Sequence, residues 1–173
     1  ALIKEHFNQL DSLREAQKLL LPNPDKLPGA NFAATYIPLS HAGGDFFDVF
    51  QSGEDSFDYV VADVSGHNLG ASLPTSAIKA LLRQNAHMAY TPEESLKLLN
   101  THLSSVFAES QYATIAYLRV NRRTRKASWA NAGHVPALRI GIGGDLCEQV
   151  DFPSSPIGCF DYFEPGLTEF SLK

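Results

Sequence analysis

The 173-residue sequence has only two cysteines, no long apolar run and no excess of basic residues. Cys147 and Cys159 are too far apart for a paired-cysteine metal or redox motif, so we expect buried or idle thiols in a reducing compartment. No apolar run reaches the roughly 18 residues that a membrane span needs, and the first residues lack the pattern of a signal peptide. We therefore expect a cytoplasmic protein that has no membrane partner.

The charge balance also excludes a class of partner. The chain carries 14 lysines and arginines against 19 aspartates and glutamates, a formal net charge of -5. Binding to a nucleic-acid backbone requires basic surface, so we expect a protein or small-molecule partner and no nucleic acid. The hydrophobic content of 44% is ample for one core, and the length suits one domain.

The chain is predicted to divide at residue 28. Residues 1–28 form an amphipathic helix followed by a linker, because apolar residues recur at steps of three and four until Pro22. This helix either packs on its own domain or ends a coiled-coil connector from an upstream regulatory module, and the pattern is too short to decide. Residues 29–173 form the main domain.

Two helices are predicted in the middle of this domain. Leu73 to Leu82 has helical spacing, with Pro74 in the first turn, where proline is tolerated. The second helix follows Thr91, because a capping hydroxyl, Pro92 and a glutamate three residues after the cap together mark a helix start.

Strands are predicted on both sides of these helices. This order favours an α+β fold over alternating parallel units, with the last four strands forming an antiparallel meander. The predicted strands are residues 31–37, 46–50, 57–63, 112–120, 126–131, 135–140 and 146–150.

Two acidic turns flank one predicted hairpin. Asp45 lies beside two glycines at the start of its first strand, and Asp63 lies at the end of its second. A hairpin brings the start of one strand near the end of the other, so we expect both carboxylates at the same sheet edge. Hard divalent cations choose such oxygen ligands. The alternative is that both aspartates are ordinary turn residues.

Other catalytic patterns are weak. Ser65 lacks the glycine pattern of a nucleophile elbow, and the glycines lack the lysine of a nucleotide-binding P-loop. The histidines show no close pairing at the spacing of metal ligands, so we interpret most of them as structural or surface groups. They are His6, His41, His67, His87, His102 and His134.

Several motifs occur in the order found in one family. The sequence resembles the PPM (protein phosphatase 2C) superfamily of serine/threonine phosphatases, specifically its stage II sporulation protein E-like (SpoIIE/RsbU-like) branch. The resemblance covers nearly the whole chain, and the lead-in at residues 17–22 resembles the helix that joins such domains to upstream modules. The matching motifs are residues 42–48, 62–71, 113–114, 131–136 and 156–158.

The resemblance implies an αββα sandwich of two antiparallel sheets flanked by helices. It also implies a centre of two Mn²⁺ or Mg²⁺ ions in which Asp63 bridges the metals, while Asp45 and the backbone carbonyl of Val64 bind one of them. The reaction implied is dephosphorylation of phosphoserine or phosphothreonine on a regulatory protein, such as an anti-sigma-factor antagonist. A metal-activated water is the nucleophile, so no catalytic side chain is expected. An upstream sensor or receiver domain and a homodimer through the N-terminal helix are further expectations.

The sequence departs from the family pattern at two places. Asn68 stands where the family usually has glycine, and Asn is the next best residue for a left-handed turn. The family's later Asp-Gly motif and a further aspartate, which hold the other metal, do not follow within the sequence. Residues 165–169 superficially resemble the Asp-Gly motif, but Pro165 replaces its aspartate, so we do not interpret them as a ligand site. We therefore expect a phosphatase domain lacking its last segment, with weak or no activity.

Two other readings compete with the phosphatase. One is a degenerate phosphatase that serves as a non-catalytic phosphoprotein-binding or dimerisation module. The other is a nucleotide cyclase, because Gly43, Gly44 and Asp45 echo a cyclase signature. The cyclase signature requires an acidic residue next, and Phe46 stands there, which disfavours this reading.

Overall fold

The structure is a computed structural model that describes most of the chain. Residues 14–19 are helical, and Pro24–Lys26 forms a short 3-10 helix. Within the described ranges, no helix has the length and apolar character needed to cross a membrane. Those ranges are residues 11–12, 14–37, 43–66, 69–144, 147–150 and 152–172.

In the described part of the chain, seven strands form two antiparallel sheets. The larger sheet has five strands in the order β1-β2-β3-β4-β7, and the smaller sheet pairs β5 with β6. The strands are β1 (Asp45–Gly53), β2 (Ser56–Val64), β3 (Ala113–Asn121), β4 (Lys126–Ala132), β5 (Ala137–Ile140), β6 (Cys147–Val150) and β7 (Gly166–Ser171).

Between β2 and β3, the residues that the structure describes form two helices. Helix α1 spans Leu69–His87 and helix α2 spans Pro92–Leu103. The predicted start of α2 is confirmed, because the Thr91 hydroxyl accepts a hydrogen bond from the Glu94 N–H at 3.2 Å and the Glu94 carboxylate accepts one from the Thr91 N–H at 2.8 Å. Helix α1 begins earlier than predicted, so Pro74 lies inside the helix and not in its first turn.

The helices cover one face of the larger sheet. Alternate strand residues point to this face, since side chains alternate across a strand, and they form the main core with both helices. The core includes Phe46, Phe50, Val60, Ala62, Val64, Ile78, Leu82, Leu96, Leu99, Leu103, Ile115 and Tyr117.

The small sheet lies against the opposite face. Ala116 and Trp129 of the large sheet pack there with Val150 of β6 and with Ala137 of β5. The layers therefore run from helices to the large sheet to the small sheet, and the predicted α+β class with antiparallel sheets is confirmed.

Three details differ from the sequence-based expectations. Residues 31–37 form no strand and are held through side chains instead, as where the Tyr36 hydroxyl donates to the Asp45 carbonyl at 3.1 Å. The prediction of a meander is wrong, because β4 pairs with β7 and not with β5. The chain turns away from the large sheet at Gly133, whose φ is 63°. Cys147 and Cys159 are free and exposed, which contradicts the expectation of buried thiols and leaves that of idle ones.

Candidate metal centre

Asp45 and Asp63 are directly opposite each other in the β1–β2 hairpin. The register pairs their Cα positions at the open end of the hairpin, and Phe46 pairs with Ala62 next to them. Side chains at directly paired positions lie on the same face, here the face away from the helices. The hairpin therefore brings the two carboxylates together, as its sequence predicts, while their role as metal ligands stays a prediction.

The pairing changes the electrostatics of Asp45. Partial burial of its carboxyl group raises the pKa of Asp45, and the negative charge of Asp63 raises it further, while His134 acts in the opposite direction. Two carboxylates at one place disfavour ionisation of both, so a bound cation would stabilise the pair. This is the electrostatic condition that a divalent cation site needs.

The Val64 carbonyl lies against the backbone of Gly44. The Val64 N–H donates to the Gly44 carbonyl at 3.1 Å, which extends the hairpin ladder past Asp45. A Cβ atom at Gly44 would lie 2.1 Å from the Val64 carbonyl oxygen, a distance that no side chain tolerates. Glycine is therefore required here for close backbone approach, and this contact fixes the Val64 carbonyl against Gly44, the residue before Asp45.

His134 joins the two aspartates from a different part of the chain. Its Nδ1 atom lies 2.7 Å from the Thr114 hydroxyl, and Thr114 is the register partner of Asp63 on β3. Burial lowers the pKa of His134, and the charges of Asp63 and Asp45 oppose that shift. His134 is thus the residue at this site that the spacing argument missed, although it lies within the motif at residues 131–136.

A side-chain bracket holds His134 in place. Asn131 is buried; its side-chain NH₂ donates to the His134 carbonyl at 3.1 Å and its side-chain oxygen accepts from the His134 N–H at 3.0 Å. The Asn131 carbonyl accepts from the Ser154 hydroxyl, which in turn accepts from the Gly133 N–H. The turn after β4 is therefore built to present one histidine.

The donor set fits a hard divalent cation in part. Two carboxylates and one carbonyl are oxygen ligands of the kind that Mn²⁺ and Mg²⁺ select. Among the described residues, no group of three or more histidines, cysteines, aspartates and glutamates is arranged to hold a metal ion. Asn68, the predicted departure from the family turn, lies outside the described residues.

A groove opens beside the site on the sheet face away from the helices. Its volume is about 640 Å³, and Asp45 lies among its lining residues. The wall is mainly apolar and includes Phe47, Val61, Leu118 and Trp129.

Comparison with known families identifies the domain. Residues 53–173 match the family model of stage II sporulation protein E (SpoIIE). The chain belongs to this family. The SpoIIE-family chain is 28% identical over 160 residues to the phosphoserine phosphatase RsbP of Bacillus subtilis (strain 168). The matched residues cover 90% of this chain and 40% of RsbP. The chain thus spans about two fifths of the length of that curated relative.

Solved structures support the same assignment. The RsbU and RsbW domains of Rv1364c from Mycobacterium tuberculosis match with a TM-score of 0.67 and 25% identity, over 79% of this chain and 38% of that one. The SiaA-PP2C domain of Pseudomonas aeruginosa matches with a TM-score of 0.82 and 20% identity, over 100% of this chain and 70% of that one. The SpoIIE-family chain therefore has the fold of a PP2C domain.

The contact between Gly44 and Val64 yields a test with a control one residue away. We expect Gly44→Ala to lower the unfolding free energy by about 1–3 kcal/mol, because the new methyl group forces the hairpin backbone apart. Gly43→Ala is the matched control, since the nearest atom to its added Cβ is 4.0 Å away. Chemical denaturation measures both changes, and equal losses in the two variants would contradict the proposed contact.

The electrostatic coupling is testable in the metal-free protein. Removing the negative charge with Asp63→Asn should lower the pKa of Asp45, because a neighbouring anion disfavours the ionised carboxylate. An NMR titration of the side-chain carboxyl carbon reports this pKa directly. Asp161 is exposed and is not among the charged groups that shift the pKa of Asp45, so Asp161→Asn should leave that pKa unchanged. An Asp45 pKa that is the same with and without the Asp63 charge would show that the two carboxylates are too far apart to interact.

Proposed function

We propose that this domain is the catalytic part of a metal-dependent phosphatase that removes phosphate from serine or threonine of a regulatory protein, such as an anti-sigma-factor antagonist. The observation that carries the proposal is the direct pairing of Asp45 with Asp63. Membership of the SpoIIE family supports it, and so does similarity to RsbP, a phosphoserine phosphatase. In this proposal the activity serves bacterial signalling.

Each ligand has a role in the proposal. Asp63, Asp45 and the Val64 carbonyl would hold Mn²⁺ or Mg²⁺, with Asp63 shared between two ions and the other two groups serving one of them. Strand pairing holds the backbones of both aspartates opposite each other, and the Gly44 contact holds the Val64 carbonyl, so the backbone that carries these groups would be organised before any cation binds. Preorganisation of this kind lowers the cost of binding.

The chemistry divides between the cations and the protein. When bound, the cations would supply an activated water and stabilise negative charge on the phosphoryl group. The protein orients the ligands through β1 and β2 and presents His134 beside them through the Asn131 bracket. No side-chain nucleophile is required, which agrees with the lack of an activated serine or cysteine motif in the sequence.

The proposal extends to partners. An upstream sensor or receiver domain in the same polypeptide would act through residues 1–28, and a homodimer through the N-terminal helix is a second expectation. The N-terminal segment at residues 14–19 contacts the main domain, which gives such a module a physical route to the fold.

Cation binding tests the ligand roles. In titration calorimetry with Mn²⁺, we expect Asp63→Asn and Asp45→Asn each to weaken binding by on the order of tenfold or more, because each loses one carboxylate charge from the site. Asp161→Asn serves as the control with an equal change of charge. Unchanged Mn²⁺ affinity in Asp63→Asn would refute the metal site.

Hydrolysis separates an enzyme from a binding module. We expect the 173-residue chain with Mn²⁺ to hydrolyse p-nitrophenyl phosphate feebly or not at all, because the described residues supply only part of the metal shell and water activation depends on a full one. A chain extended at its carboxyl end through an Asp-Gly motif should be active. Comparable turnover by both chains contradicts this expectation, and an inactive extended chain that still binds a phosphoserine protein favours the non-catalytic module.

A further inference from the structure

The partly buried ring of His134 is held at one nitrogen and open at the other. Its Nδ1 atom lies 2.7 Å from the Thr114 hydroxyl, whereas Nε2 has no hydrogen-bond partner among the described residues. Asn131 holds the residue from behind, because its side chain binds both the N–H and the carbonyl of His134. One polar ring atom is therefore left open on a residue that is otherwise fixed.

The ring lies beside the acidic pair. Thr114 is the register partner of Asp63 on β3, and Asp63 is the partner of Asp45 on β1. Side chains at directly paired positions share a face and have Cβ atoms about 4.5–5.5 Å apart, so a ring bound to Thr114 belongs to the same row of side chains. The charges of both aspartates act on the pKa of His134, which agrees with this placement.

The negative groups favour one tautomer of the ring. A neutral imidazole carries a proton on one nitrogen and a lone pair on the other. A lone pair on Nε2 would add to the negative potential of the two carboxylates, whereas an N–H group there is attracted to it. We therefore expect the Thr114 hydroxyl to donate to Nδ1 and the proton to lie on Nε2. In the charged ring both nitrogens are donors, so Nε2 donates in either state.

The site has little else to offer to an anionic substrate. Among the described residues, no lysine or arginine shifts the pKa of Asp45 or of His134, so no basic side chain is close to the pair. A phosphoryl group in transfer spreads its charge over three terminal oxygens. A fixed donor aimed at one of them stabilises that charge. His134 is the side chain in place to supply such a donor.

We propose that His134 is a substrate-binding residue whose Nε2–H donates a hydrogen bond to a phosphoryl oxygen of the phosphoserine or phosphothreonine. The inference rests on the proposed function, because it requires a phosphoryl group at the Asp45–Asp63 pair. His134 contacts the substrate and is not a cation ligand, in agreement with the lack of a three-residue metal-binding cluster among the described residues. Thr114 and Asn131 are positioning residues that act through His134.

Two amide variants separate the two ring nitrogens. His134→Asn places a polar atom near the position of Nδ1 and none at that of Nε2, while the longer side chain of His134→Gln reaches the position of Nε2. In titration calorimetry of inorganic phosphate with the Mn²⁺-loaded chain, we expect the affinity of His134→Asn to fall by about tenfold or more, because a hydrogen bond to a charged group is lost. His134→Gln should stay close to the wild-type value. The Mn²⁺ affinity should be the same in all three proteins.

A matched control comes from the other layer of the fold. His102 is an exposed histidine of α2, which covers the opposite face of the large sheet. His102→Asn makes the same chemical change there and should leave the phosphate affinity at the wild-type value.

The tautomer is measurable without any cation. Nitrogen-15 NMR of the imidazole in the metal-free protein should show the proton of the neutral His134 ring on Nε2. Thr114→Val removes the hydroxyl at nearly constant volume, so it should mix the two tautomers and also lower the phosphate affinity.

The outcomes separate the inference from the proposed function. A wild-type chain that binds no Mn²⁺ overturns both. If the wild-type chain binds Mn²⁺ but binds no phosphate, or if His134→Asn binds phosphate as tightly as the wild type, the inference alone fails. It also fails if the neutral ring carries its proton on Nδ1, since Nε2 then cannot donate, or if His134→Asn loses Mn²⁺ affinity, since His134 is then a ligand. If His134→Asn does not fold, the ring tautomer and Thr114→Val still decide.

Discussion

Repulsion between the Asp45 and Asp63 carboxylates is the constraint around which this end of the fold is arranged. The hairpin ladder holds their backbones opposite each other, so the two side chains stay on the same face and within reach of each other while the strands are paired. Partial burial raises the pKa of Asp45, and the nearby Asp63 charge raises it further. A cation that relieves the repulsion would gain affinity from a geometry that the protein has already stabilised by folding.

The local features of the fold were predictable because each depends on residues close together in sequence. The β1–β2 hairpin follows from two short apolar runs joined by a polar turn, and its register delivers Asp45 to Asp63. The start of α2 follows from Thr91, Pro92 and Glu94, whose reciprocal hydrogen bonds need no tertiary contact. The pairing of Asp45 with Asp63 could therefore be predicted from the residues themselves. The Asn131–His134 motif could be recognised only through its resemblance to the family.

The missed features depend on contacts between distant parts of the chain. The strands β4 and β7 pair although β5 and β6 lie between them in the sequence. No periodicity in either strand encodes this choice of partner. His134 reaches the aspartates only because β4 lies beside β3, which carries Thr114 opposite Asp63. Gln17 occupies a polar position of an amphipathic pattern, and only the folded arrangement reveals that its amide is buried against Gly43.

The register of the hairpin also limits how this domain can vary. Exposed turns normally tolerate insertions and deletions, and the turn between Gly53 and Ser56 lies roughly 25 Å from the acidic pair, given about 3.3 Å per residue along a strand. A change of one residue there that shifted the pairing would place Asp45 opposite a helix-facing position, since a one-residue slip turns every side chain to the other face. The length of this distant surface turn therefore determines which residues are paired at the site. Homologues that keep both aspartates should also keep the number of residues between them.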